Sequence, residues 1–144
     1  FSTRIRWRQP GVHRGLGLAY VAAVLVSGVS AVALAPTSNG GLAGHFGFGI
    51  LGALWLASTA VAFATVRKRD FEAHRAWMIR SYALCLAAVT LRIYLPLSFA
   101  LGLPFEDAYP AIAWLCWVPN LVIAEWLVVR SPLAPLEPGG TRPA

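Results

Sequence analysis

Glu72–Tyr94 reads EAHRAWMIRSYALCLAAVTLRIY. The segment is apolar enough to cross a membrane, yet it carries His74, Arg75, Arg80 and Arg92 in or beside its apolar run. At about 100° per residue, His74, Met78, Ser81, Cys85, Ala88 and Arg92 fall on one narrow stripe, while Arg80 points to a different face. This pattern predicts a membrane-crossing helix whose polar residues need partners, and the rest of the chain is read outward from it.

The flanking sequence has the same solvent in mind. Of 144 residues, 58% are hydrophobic and only 12% charged, and mean hydropathy is +0.63, whereas soluble domains carry roughly 25% charged residues. The net charge is +6, but the basic residues cluster at the ends of apolar runs, as positive-inside topology requires. No basic face remains to track phosphates, so nucleic-acid binding is not expected. Cys85 and Cys116 both lie inside apolar runs, which indicates neither a disulfide framework nor a zinc site. No Ser-His-Asp order, Gly-rich phosphate loop, His-Glu-x-x-His or Cys-x-x-Cys occurs, and the length leaves no room for a soluble catalytic domain.

Four runs reach the ~20 residues that span a hydrocarbon core: about 16–35, 42–66, 74–101 and 111–129. The first follows a basic N-terminal segment, as a signal peptide would, but the apolar run from Gly15 to Ala35 exceeds the ~7 to 15 residues of a signal core and reads as a retained helix. The chain begins with Phe, so the sequence is expected either to lack a native start or to be a processed or partial product. Short joins at Pro36–Gly41, Arg67–Glu72 and Gly102–Pro110 make consecutive helices antiparallel neighbours. The expected fold is therefore all-α: an integral membrane four-helix bundle over residues 1–130, followed by a disordered Pro/Gly-rich tail over 131–144. Arg4, Arg6, Arg8, Arg14, Arg67, Lys68, Arg69, Arg75, Arg130 and Arg142 lie on one side, and the loops of the other side hold only Glu106 and Asp107. Both termini are thus expected in the cytoplasm, and the membrane is expected to be the bacterial inner membrane.

Gly40, Gly44, Gly49, Gly52, Ala53 and Ala57 give the second span the small residues that close helix packing needs, which predicts a central position. Trp7, Tyr20, Trp55, Trp77, Tyr109, Trp114 and Trp126 mostly fall near expected interfaces and are assigned to aromatic belts.

Three polar groupings demand partners. Arg80 and Glu125 lie at similar depth from the cytoplasmic side; an ion pair locking helices three and four, or a proton or anion relay, accounts for them. Arg92, His45, Tyr94 and Asp107 are expected near the opposite surface, where Pro96 is predicted to distort the third helix. There, Arg92 snorkelling toward Asp107 and His45 capping its helix stand against a shared functional pocket. His13 and His74 are expected at the cytoplasmic ends of helices one and three, as interfacial histidines or as axial ligands of haem b, with Arg75 or Arg80 toward the propionates. Asn120, after Pro119, is expected to satisfy a backbone group freed by the proline.

Gly44-His45, Arg67-Lys68-Arg69-Asp70, His74-Arg75-Ala76-Trp77-Met78-Ile79-Arg80-Ser81-Tyr82, Thr90-x-Arg92 and Asn120 through Glu125-Trp126 together resemble a family of predicted membrane proteins catalogued as domain of unknown function 2306. The resemblance covers about residues 40–130 and implies a multi-span inner-membrane protein without an assigned activity. From the residues, the leading expectation is an accessory or scaffolding subunit, or a binder of a lipid- or quinone-like ligand, without chemistry of its own. Its partners would be the lipid bilayer and other membrane subunits or further copies of the chain. A haem redox protein using His13 and His74, and a proton-coupled transporter or membrane enzyme using His45, Arg92, Arg80 and Glu125, are the rivals.

Overall fold

The computed structural model describes residues 10–130. Trp7, Arg4, Arg6, Arg8 and the 131–144 tail lie outside the described residues. Within them the protein is helical: α1 (Pro10–Leu34), a short 3-10 turn (Ala35–Thr37), α2 (Gly41–Arg67), α3 (Phe71–Cys85), α4 (Ala87–Ala100), α5 (Phe105–Leu115) and α6 (Val118–Arg130). These form four stretches long and apolar enough to cross a membrane: Gly11–Thr37, Gly41–Arg67, Phe71–Ala100 and Phe105–Arg130.

The joins are tighter than composition suggests because their polar residues cap helices. Thr37 and Ser38 hydroxyls donate to the Leu34 and Ala35 carbonyls at 2.8 Å each, and Gly40 turns the chain at φ 90°. The charged hinge is an end and a start placed back to back. Lys68 and Asp70 return N–H groups to Ala64 and Thr65, and the Asp70 carboxylate then accepts from Ala73 N at 3.0 Å, a side-chain N-cap. At the last join, Glu106 and Asp107 belong to the first turn of α5 rather than to a loop. Their negative charge there complements the helix dipole, which is why the fourth span starts earlier than apolarity alone indicates.

Spans three and four are each interrupted near the middle. The fourth breaks at Cys116–Trp117 because Pro119 lacks an N–H and its ring excludes the Leu115 carbonyl. The third breaks at Leu86, whose carbonyl accepts from Val89 N at 2.9 Å, Thr90 N at 3.0 Å and the Thr90 hydroxyl at 3.1 Å. Such hydroxyl back-bonding with an i−3 bond tightens and bends a helix. Pro96, expected to distort the third helix, lies beyond that break, inside helix α4.

α2 packs against α1, α3 and α5. A Cβ on Gly49 would lie 3.5 Å from the Ala35 Cβ, one on Gly52 3.0 Å from Val32 Cγ2, and one on Gly28 2.6 Å from Leu56 Cγ. As numbers rise along α2 they fall along α1, so the two run antiparallel. The buried side chains are mostly small, with Ala62, Ala83, Ala87, Ala113 and Ala124 among them, whereas Leu25, Val26, Val29, Phe46, Val122 and Ile123 face outward. That distribution is reversed relative to a water-soluble core, and it is stable when the surrounding solvent is lipid.

Candidate functional site

The charged centre of the protein is built by three spans. α3 presents Trp77, Arg80 and Leu84, which share a face at i, i+3 and i+7; α6 presents Leu121 and Glu125 at i, i+4; α2 contributes Leu54, Ala57, Ser58 and Val61. Arg80 Nε donates to Glu125 Oε1 at 2.6 Å and Nη2 donates to Oε2 at 2.9 Å. This fork-on-fork geometry fixes both groups in orientation as well as distance. The Trp77 ring lies under the guanidinium, 4.6 Å from centroid to Cζ, adding a cation–π contact. By rise per residue, Glu125 is about 7.5 Å from the Arg130 end of its span and Arg80 about 13.5 Å from the Phe71 end. An unpaired ion costs on the order of 3 kcal/mol at the middle of a membrane helix and less toward its ends, and mutual pairing offsets much of that.

The pair borders a cleft of about 250 Å³ whose other walls are apolar apart from Ser58. Arg80 is 20% exposed and Glu125 46%, so the carboxylate stands at the rim and the guanidinium behind it. The cleft therefore offers a fixed plus and minus at the edge of a largely apolar hollow.

The other polar residues are placed differently. His45 Nε2 is 3.0 Å from the Ser38 carbonyl, and outward-facing Arg92 donates from Nη1 to Ala88 O in its own helix at 2.8 Å. Among the described residues no hydrogen bond or ion pair joins His45, Arg92, Tyr94 and Asp107 to one another. A groove of about 500 Å³ at that end is lined by Asn39, Gly40, Gly41, Phe105, Glu106 and Pro110, and by none of those four. His74 Nδ1 is 2.7 Å from the Ala62 carbonyl, which ties helix α3 to α2. His13 faces outward on α1 and forms no hydrogen bond or ion pair with any described residue. Asn120 Nδ2 donates both to Thr90 Oγ1 and to Cys116 O, each at 3.0 Å, and so stitches the two helix breaks together.

One polar group was not legible as such. Ser81, 0% exposed, sits between the Tyr20 hydroxyl at 2.8 Å and the Thr59 hydroxyl at 2.7 Å. Trp55 Nε1 donates to Tyr20 at 3.4 Å, and Tyr20 stacks on Tyr82 with centroids 4.8 Å apart. Tyr20 and Trp55 thus serve an interior network joining α1, α2 and α3 rather than an interfacial belt. No group of three or more His, Cys, Asp or Glu side chains could hold a metal among the described residues.

Four apolar helices of spanning length, small-residue packing and a lipid-facing hydrophobic surface define a polytopic integral membrane protein. Residues 1–128 match the family model described as "Predicted membrane protein (DUF2306)", and the chain belongs to that family. Comparison with curated proteins and with solved structures gives no match.

Proposed function

We propose that this protein is a small four-helix bundle of the bacterial inner membrane, with both termini cytoplasmic, that holds an amphipathic lipid- or quinone-like molecule and performs no chemistry of its own. It serves as a binding or accessory subunit. The observation that carries this reading is the Arg80–Glu125 cleft: largely apolar walls from three spans, a fixed charged pair with its carboxylate at the rim, and room below the ~300 to 1,000 Å³ of sites that enclose a whole ligand. A polar head fits there while its tail remains in the bilayer. The orientation is supported by Arg14, Arg67, Lys68, Arg69, Arg75 and Arg130 at one end of the spans, against Glu106 and Asp107 at the other.

Photo-crosslinking tests this directly. An amphiphile bearing a diazirine near its head should label peptides containing Leu54, Val61, Trp77 and Leu121, and excess unlabelled amphiphile should suppress that labelling. Uniform, non-competable labelling of all outward faces would contradict the reading.

A further inference from the structure

The turn between α2 and α3 places a charged residue in the backbone position that glycine usually fills. Arg69 N–H donates to Val66 O at 3.1 Å and Asp70 N–H to Thr65 O at 3.0 Å, the Schellman pattern that ends a helix. The left-handed residue of this pattern is Arg69, at φ 62°, the one non-glycine residue of positive φ among those described. A side chain is strained in that conformation and glycine is not. Packing does not account for the choice, because Arg69 is exposed and forms no side-chain hydrogen bond or ion pair with any described residue.

Arg69 stands in a row of cations: Arg67, Lys68, Arg69 and, one turn into α3, Arg75 are all exposed. Of the two acids nearby, the Asp70 carboxylate caps α3 by accepting from Ala73 N, and Glu72 forms no ion pair with any described residue. The charge of the row is therefore left for something outside these residues to meet. Apolar rings lie beside it. Phe71, the first residue of α3, is exposed, as is Phe63, whose ring centroid is 5.9 Å from the Arg67 Cζ. The 27 residues of α2 rise about 40 Å, the thickness of a bilayer with its headgroups, and so deliver the turn to the phosphate layer. A soluble anion would engage the cations and leave both rings in water. A lipid engages both, with its phosphate on the cations and its acyl chains on the rings.

We propose that the α2–α3 turn is an attachment site for lipids with anionic headgroups, and that Arg69 is kept in the left-handed conformation for its charge. Headgroup phosphates accept from Arg67, Lys68, Arg69 and Arg75, while Phe63 and Phe71 meet the acyl chains. The site shares no residue with the lining of the Arg80–Glu125 cleft and stands independently of the amphiphile reading. Cations that served only to orient the spans during insertion would give the folded protein no such preference.

The test titrates the full chain in neutral detergent with phosphatidylglycerol and with phosphatidylcholine of the same acyl chains, counting bound lipid by native mass spectrometry; thermal unfolding is followed without added lipid. Wild type should prefer phosphatidylglycerol. Arg69→Gly should weaken that binding about fivefold, the share of one surface cation, and leave phosphatidylcholine binding unchanged. The same variant should unfold about 2 to 5 °C higher, because glycine removes the backbone strain. Arg67→Gln/Lys68→Gln should weaken phosphatidylglycerol binding about 25-fold without that rise. Arg92→Gln removes a charge at the other end of the spans, beyond the screening distance, and should leave both affinities within about twofold. Equal affinity of wild type for the two lipids, or equal weakening by Arg92→Gln, overturns the site. An Arg69→Gly protein that fails to fold, or is less stable than wild type, overturns the account of Arg69. Displacement of phosphatidylglycerol by inorganic phosphate at equal concentration overturns the lipid as ligand and assigns the row to a soluble anion.

Discussion

Ser81 is where three spans meet through hydroxyl groups, and it has no exposed surface. Interhelical hydrogen bonds in membranes contribute about 0.6 to 2 kcal/mol each, so Ser81→Ala, which leaves the Tyr20 and Thr59 hydroxyls without this partner, should cost about 1 to 3 kcal/mol. Thermal unfolding in detergent measures it. The sequence could not single this residue out, because a serine or threonine in a membrane helix can satisfy itself locally. Ser30 does so on Val26 O and Thr65 on Val61 O. Arg80 and Glu125 differ in degree: Arg92 shows that a guanidinium can bond its own helix, on Ala88 O, but such a bond does not neutralise a charge. Charge alone marks them as needing a partner, and depth narrows the choice. Trp117, whose buried Nε1–H meets no acceptor among the described residues, carries no sequence signal at all, as a missing acceptor is a property of packing.

At the scale of elements, hydropathy reports where a helix is greasy and not where its backbone is interrupted. The four apolar stretches were therefore legible, while the breaks at Leu86 and Cys116–Trp117 were not. Pro96 and Pro119 look alike in sequence, yet only Pro119 lies beside a break; the third span bends where Thr90 returns its hydroxyl to Leu86. The apparent loop at Glu106 and Asp107 became helix because acidic residues suit a first turn. Close packing of α2 against α5 depends on Gly47, where a Cβ would lie 3.0 Å from the Ala113 carbonyl oxygen. Backbone cannot give way as a side chain can. Gly47→Val should thus destabilise the protein by about 1 to 3 kcal/mol, whereas Gly15→Val, with nothing within 4 Å of its Cβ, should change stability by less than about 0.5 kcal/mol. Equal losses at both positions, read by thermal unfolding, would count against the packing described.

For the whole molecule, small residues inside and large apolar residues outside describe a protein whose solvent is lipid, and they leave the Arg80–Glu125 cleft as a charged place where three spans meet. His13 and His74 bear on a different whole-molecule property. The His74 Nδ1 contact with the Ala62 carbonyl leaves Nε2 open and does not decide the matter; the amphiphile reading predicts no Soret band in protein purified from haem-replete cells, while bis-histidine haem ligation predicts a strong one. The most direct test of the central claim is native mass spectrometry of the protein released from native nanodiscs. Wild type should carry a single small amphiphile at near-unit occupancy, and the Arg80→Gln/Glu125→Gln double variant, folded by circular dichroism, should have lost it. A wild-type protein carrying only the bulk lipid distribution, or a double variant that retains the same adduct, would contradict the account.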